Sequence, residues 1–189
     1  MSTIVLASQS PRRKQLLQWA EIDFIAETSD ADESFPADMP VEEAPVFIAL
    51  KKAKAIQQRH NDSPVIIAAD TIVVLDNTVI NKPVDRDDAA NILRSLSGKT
   101  HSVITGVILL KGNKEISFAD VTQVTFHHLT DEQIFFYVDN HKPYDKAGAY
   151  AIQEWIGVVG IKSINGDFYN VMGLPVSRVI TALNKIQQE

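Results

Sequence analysis

Apolar and polar positions along this chain fall into blocks that change period several times. Ile4-Val5-Leu6-Ala7 is an unbroken apolar run of strand length. Ser10-Pro11 follows it, and a serine oxygen can cap orphan amides while proline tolerates the first helical position. A helix is therefore predicted over 11–19, then a short extended segment over 23–26 and an acidic, proline-containing loop over 29–40. The stretch 42–59 reads as a helix with apolar positions at Phe47, Ile48, Leu50, Ala53 and Ile56. A buried strand is expected over 65–69, and a separate extended piece over 71–75, which puts Asp70 at a strand end. Residues 85–96 read as a helix capped by Asp85 and ended by Gly98. Residues 103–110 and 116–126 read as a hairpin around Lys111-Gly112-Asn113. Thr130 caps a helix to about Val138, with Asp131 and Glu132 in a first turn that suits the helix dipole. A strand over 157–164 and a helix over 177–186 close the pattern. The sum is a mixed α/β fold, with helices on both sides of a curved mixed sheet and the hairpin building a second lobe.

Composition narrows the class. At 189 residues the chain suits one sizeable domain. Its 45% hydrophobic and 22% charged residues are ordinary for a soluble globular protein. No apolar run approaches the roughly 20 residues that span a bilayer, and no secretory signal pattern opens the chain. With no cysteine there is no disulfide, thiolate metal site or cysteine nucleophile, and the expected address is the cytoplasm. A net charge of −6 speaks against a broad nucleic-acid surface, though not against one small cationic pocket.

Such a pocket is suggested at the start of the chain. Ser8-Gln9-Ser10 leads into Pro11 and the cations Arg12, Arg13 and Lys14. A helix amino end favours phosphate, arginine offers a planar fork to phosphate oxygens, and cations in a first turn are unfavourable unless an anion offsets them. Asp70, after an apolar run, has the position either of a group that holds a metal or activates water or of a strand-end aspartate that makes a turn. Asp30, Asp32 and Glu33 could join it around a hard cation, although a solvated loop is the simpler account of them. Lys51, Lys52 and Lys54 cannot all share one helix face, and such lysines usually read as a solvated face. Lys82 precedes a proline that holds it extended, and so can aim an ammonium at phosphate. Gly148 sits among small residues, and Gln153 offers the donor and acceptor that a uracil or thymine edge requires. The five histidines show no metal spacing and read as structural or exposed. There is no GxSxG elbow, Walker loop or GxGxxG.

Taken in order, these motifs resemble the Maf family of nucleoside triphosphate pyrophosphatases. Ser8-Gln9-Ser10-Pro11-Arg12-Arg13 with Leu16-Leu17 is similar to the family's opening signature. Asp32-Glu33, Lys52-Ala53, Ala69-Asp70-Thr71, Lys82-Pro83, Leu96-Ser97-Gly98 with Thr100-His101, Asp145 through Tyr150, Ile152-Gln153, and Gly166-Asp167 through Asn170-Val171 to Gly173-Leu174-Pro175 follow in the family's sequence. One departure is Lys142-Pro143, where the family usually has an acidic residue before the proline.

The resemblance implies hydrolysis of a nucleoside triphosphate to the monophosphate and pyrophosphate with a divalent cation, Mg²⁺ first and Mn²⁺ or Co²⁺ as alternatives. It implies Asp70 as proton acceptor, Glu33 and Asp70 as metal ligands, and Lys52 and Lys82 against the charge of the leaving group. Arg12 and Arg13, with Ser8, would hold phosphate oxygens. Arg12, Thr71 and Gln153 together resemble the dTTP/UTP subgroup rather than the one acting on 7-methyl-GTP. The implied fold is an elongated, two-lobed mixed sheet flanked by helices, similar to inosine triphosphate pyrophosphatases, as one domain over 1–189. A homodimer acting on a nucleotide substrate, without nucleic acid or membrane, is implied as well. A nucleotide-sensing regulator of septum formation without turnover is the alternative. A nucleic-acid-binding regulator is disfavoured by the net acidity.

Overall fold

A computed structural model describes residues 3–188. The strands are β1 Ile4–Ala7, β2 Ile25–Glu27, β3 Val65–Leu75, β4 Thr78–Ile80, β5 Thr100–Lys111, β6 Lys114–Phe126 and β7 Ile161–Asn165. The helices are α1 Pro11–Trp19, α2 Ala44–Gln57, α3 Arg86–Leu96, α4 Asp131–His141, α5 Trp155–Gly160, α6 Phe168–Met172 and α7 Val176–Gln188. The fold is mixed α/β. Strand order is β2-β1-β3-β5-β6-β7, with β4 paired to β3. β1 pairs parallel with β2 and β3, and β4 and β7 pair antiparallel with β3 and β6.

Two compact units divide the chain, with boundaries inside β3, β5 and β6. The first takes in the chain to Asp70, Thr105–Asp120 and the chain from Gly173. Its core joins Val5 and Ala7 of β1, Ile66 and Ala68 of β3, Ile108 and Leu110 of β5, and Ala49, Ala53 and Ile56 of α2. Two alanines on the helix face let it lie close to the sheet. At Gly106 any Cβ would collide with the backbone of Pro45 and Val46.

The second unit covers Thr71–Ile104 and Val121–Met172. Asp85 caps α3 by accepting from the Asp88 amide at 2.8 Å. Thr130 caps α4 in a reciprocal box with Gln133. His101, Phe126 and Tyr150 form a buried ring cluster, and Gly148, with φ +73°, turns the chain into it.

Two expectations need correction. Residues 65–75 form one continuous strand, so Asp70 lies inside β3 and not at its end. Residues 155–160 are a helix, and β7 begins only at Ile161. The apolar run misled because Val158 is exposed to solvent, and a Cβ at Gly157 would collide with the Ile152 carbonyl. His127 and His128 follow β6 as exposed residues, in keeping with the expectation for the histidines. Residues 1, 2 and 189, the ends of the expected single domain, lie outside the described residues.

Candidate active site

The opening signature folds as its residue types dictate. After β1 the Ser8 amide donates to the Leu6 carbonyl at 2.9 Å, and the Ser8 Oγ accepts from the Ser10 amide at 3.2 Å. Ser10 caps α1 by accepting from the Arg13 amide at 3.4 Å. Arg13 is buried, with Nε donating to the Gly173 carbonyl at 2.8 Å and Nη1 to Ser8 Oγ at 3.2 Å. This cation bolts the serine turn and the first turn of α1 to the segment that precedes α7. Burial is the main force lowering the Arg13 pKa; Asp70 and Glu33 oppose it, and Arg12 adds to it.

Lys52 stands at the centre of this group. The buried residues of α2 fall at 44, 45, 48, 49, 52, 53 and 56, so Lys52 occupies the helix's apolar stripe. Its ammonium lies 2.7 Å from Asp70 Oδ1 and 2.7 Å from Glu33 Oε1. Neighbouring Lys51 faces outward and ties the acidic loop to α2, donating at 3.1 Å to both Asp32 Oδ2 and the Ser34 carbonyl. Asp32 also accepts from the Ser34 amide at 3.0 Å and from its hydroxyl. The Ser34 bonds, then Lys51, hold the Asp32 carboxyl at about 2.

Two carboxylates held by one ammonium are a donor set of the right chemistry for a hard divalent cation. Each oxygen is 2.7 Å from Nζ, so the two are no more than about 5.4 Å apart, twice that distance. Among the described residues no group of three or more acidic, histidine or cysteine side chains offers a full protein cage. Mg²⁺ does not require one, since it commonly takes one or two carboxylates with water and substrate phosphates. Glu33 and Asp70 fit that pattern.

Ser8, Arg12, Arg13, Glu33, Lys52 and Asp70 are therefore gathered in the first unit. A family profile described as Maf-like protein matches residues 3–186. The chain belongs to this family. Relatives of this Maf-like chain include proteins named dTTP/UTP pyrophosphatase from Cytophaga hutchinsonii, 52% identical over 97% of this chain and 84% of that protein, and from Bacteroides thetaiotaomicron, 47% identical over 97% and 95%. Another of that name, from Phocaeicola vulgatus, is 49% identical over 97% and 95%. The solved structure of a HAM1 protein from Coxiella burnetii aligns at a TM-score of 0.47 and 18% identity, over 98% of this chain and 100% of that one.

Thr71, Lys82 and Gln153 of the Maf-like chain belong to the second unit. Thr71 follows Asp70 in β3, half-buried. Lys82 is exposed after β4, beside Asn81, whose carbonyl accepts from the Gly148 amide at 3.4 Å. Gln153 is exposed in a turn closed by the Glu154 amide donating to the Ala151 carbonyl at 3.1 Å. The lysines of α2 read from the sequence as a solvated face, but Lys52 is buried; its three- and four-residue spacing from Ile48, Ala49 and Ile56 is the signal that could have shown it. The partners of the Gln153 turn carried no such local sign.

Proposed function

We propose that this Maf-like protein is a nucleoside triphosphate pyrophosphatase that hydrolyses dTTP and UTP to the monophosphate and pyrophosphate. The observation that carries the reading is the Lys52 ammonium, 2.7 Å from both Asp70 and Glu33, beside an arginine-bearing helix start. The names of the relatives support the substrate pair. Asp70 keeps Oδ1 on Lys52 and accepts the proton of the attacking water at Oδ2. The water oxygen bonds the α-phosphorus, and the bond from that phosphorus to the bridging oxygen breaks, releasing pyrophosphate. Lys52 holds both carboxylates in place from one side. A divalent cation, held by Glu33 and Asp70 and assigned here as Mg²⁺, would polarise phosphate oxygens and offset developing charge.

Ser8 and Arg12 hold phosphate oxygens. Arg13, with Nε and Nη1 already engaged, acts by orienting Ser8 and by its positive field. Lys82 offsets charge on the leaving pyrophosphate. Arg12, Thr71 and Gln153 select a pyrimidine, the Gln153 amide pairing as donor and acceptor with the uracil or thymine edge. These residue roles rest on the family resemblance. One functional domain, a homodimer and a cytoplasmic setting complete the reading; the absence of cysteine accords with the last. Among the described residues no helix is long and apolar enough to cross a membrane.

The test is pyrophosphate release with Mg²⁺ from dTTP, UTP, CTP, ATP, GTP and 7-methyl-GTP in parallel, for the wild type and Asp70→Asn. Turnover concentrated on dTTP and UTP and lost in Asp70→Asn, with nucleotide affinity retained, is expected. Turnover on 7-methyl-GTP alone would overturn the base assignment, and no turnover on any nucleotide would overturn the enzymatic reading.

A further inference from the structure

Gln153 sits at the third position of the four-residue turn 151–154, and its own side chain is exposed. Both corners of that turn are bound to one atom. The Ala151 amide donates to the Tyr137 phenol oxygen at 3.1 Å, and the phenol donates to Glu154 Oε2. Tyr137 lies on α4, fully buried, with its ring stacked on His141 at 4.8 Å. Glu154 is further held by Lys146 at 3.6 Å and His141 at 3.7 Å. On the entry side Tyr150, Ala151 and Ile152 are all buried, and the Tyr150 hydroxyl is 2.7 Å from His101 Nε2. A polar side chain thus projects from a turn whose ends cannot move independently of one hydroxyl.

We infer that Tyr137 is a positioning residue for base selection: its hydroxyl staples the 151–154 turn so that Gln153 presents its amide in one orientation. This rests on the reading above that Gln153 contacts the base. The ring fills the core, as that of phenylalanine would, and the hydroxyl bonds the turn. Orientation matters because uracil and cytosine present opposite donor and acceptor patterns at the ring nitrogen and the neighbouring exocyclic group. An amide free to rotate satisfies either one, whereas a fixed amide rejects the wrong one through unpaired polar groups.

The experiment is a double-variant cycle on kcat/KM for UTP and CTP, with wild type, Tyr137→Phe, Gln153→Ala and the double variant. Tyr137→Phe should lower the UTP-over-CTP ratio about tenfold, through a raised KM for UTP with kcat within about twofold of wild type. The double variant should lose no more of the ratio than Gln153→Ala alone. An equal fall on both nucleotides, or a ratio loss that adds to that of Gln153→Ala, overturns the inference. A ratio unchanged in Gln153→Ala overturns the base-reading role and this inference with it. A ratio that collapses in Gln153→Ala but holds in Tyr137→Phe overturns the role of Tyr137 alone. Should Tyr137→Phe fail to fold, Glu154→Ala removes the acceptor of the same hydroxyl from a partly exposed position. It should move the ratio in the same direction, and a wild-type ratio there overturns the inference.

Discussion

His101 gives this fold a defined acid sensitivity. It lies on β5 with 2% of its surface exposed, its ring stacked on Phe126 at 5.6 Å and set edge-on to Tyr150 at 5.4 Å. Nε2 shares a hydrogen bond with the Tyr150 hydroxyl at 2.7 Å, while Nδ1 has no hydrogen-bond partner. Protonation would put an N–H on both nitrogens and a charge in an apolar cluster, and burial accordingly pulls the pKa from 6.5 to about 4. The unfolded chain therefore takes up this proton near the ordinary histidine value, and the folded chain only near the lowered one. Stability is complete above the unfolded pKa and falls as pH drops through the window between the two. The slope reaches about 1.4 kcal/mol per pH unit, giving a loss of about 2 kcal/mol by about pH 5 and about 3 kcal/mol near pH 4. The assay is urea unfolding at several pH values, followed by fluorescence, for the wild type and His101→Gln. Trp155 lies in the same unit as His101 and reports its unfolding. The expected result is a wild-type stability that falls more steeply with acid than that of the variant, by about 2 kcal/mol between about pH 7 and pH 5. Whatever the variant costs at neutral pH, only the difference in slope matters, because it cancels the other histidines. Parallel curves would refute the reasoning. Asp32, held at about 2, loses its contribution only as pH falls from the ordinary aspartate range toward that value, below most of this window.

Lys52→Met removes the shared partner of Asp70 and Glu33 and should cost about 3 kcal/mol in urea unfolding, in the range for breaking a buried pair. Its pyrophosphate release should fall at least about 100-fold, and unchanged turnover would take Lys52 out of the chemistry. Arg13→Lys cannot reproduce the bonds from Nε to Gly173 and from Nη1 to Ser8; a loss of about 1–3 kcal/mol is expected, and unchanged stability would show that the buried fork does not hold the chain there. Gly106→Ala places a methyl against the backbone of Pro45 and Val46 and should destabilise by about 1–3 kcal/mol; a neutral result in thermal unfolding would mean that α2 can lift from β5 at no cost.

Where the sequence was a good guide, the determining interactions were local. Ser10, Asp85 and Thr130 each cap a helix by bonding an amide three residues on, so the residue and its target share one short segment. The errors arose where distant chain decides the outcome. Asp70 read as a strand end because aspartate is a poor strand former, yet β3 runs through it, and its carboxylate is answered by Lys52 from eighteen residues earlier. The pairing removes the reason to break the strand. The run 157–160 read as a strand because apolar character was equated with burial, although Val158 faces solvent.

The candidate site divides along the same line. Its residue types were legible because the chemistry of phosphate and metal restricts which side chains can serve. Their environments were not equally so. Lys52 read with its neighbours as a solvated face, yet it lies on the apolar stripe of α2, where a lysine is too costly to leave uncompensated and calls for a carboxylate across from it. Gln153 gave no comparable sign, because an exposed side chain carries no penalty that demands a partner. Its constraint is transferred to Tyr137, whose hydroxyl bonds Ala151 and Glu154 fourteen and seventeen residues further along the chain, in a contact that no period records. Buried charge can thus be found by asking what must neutralise it, whereas an exposed specificity residue must be found by asking what holds its backbone still.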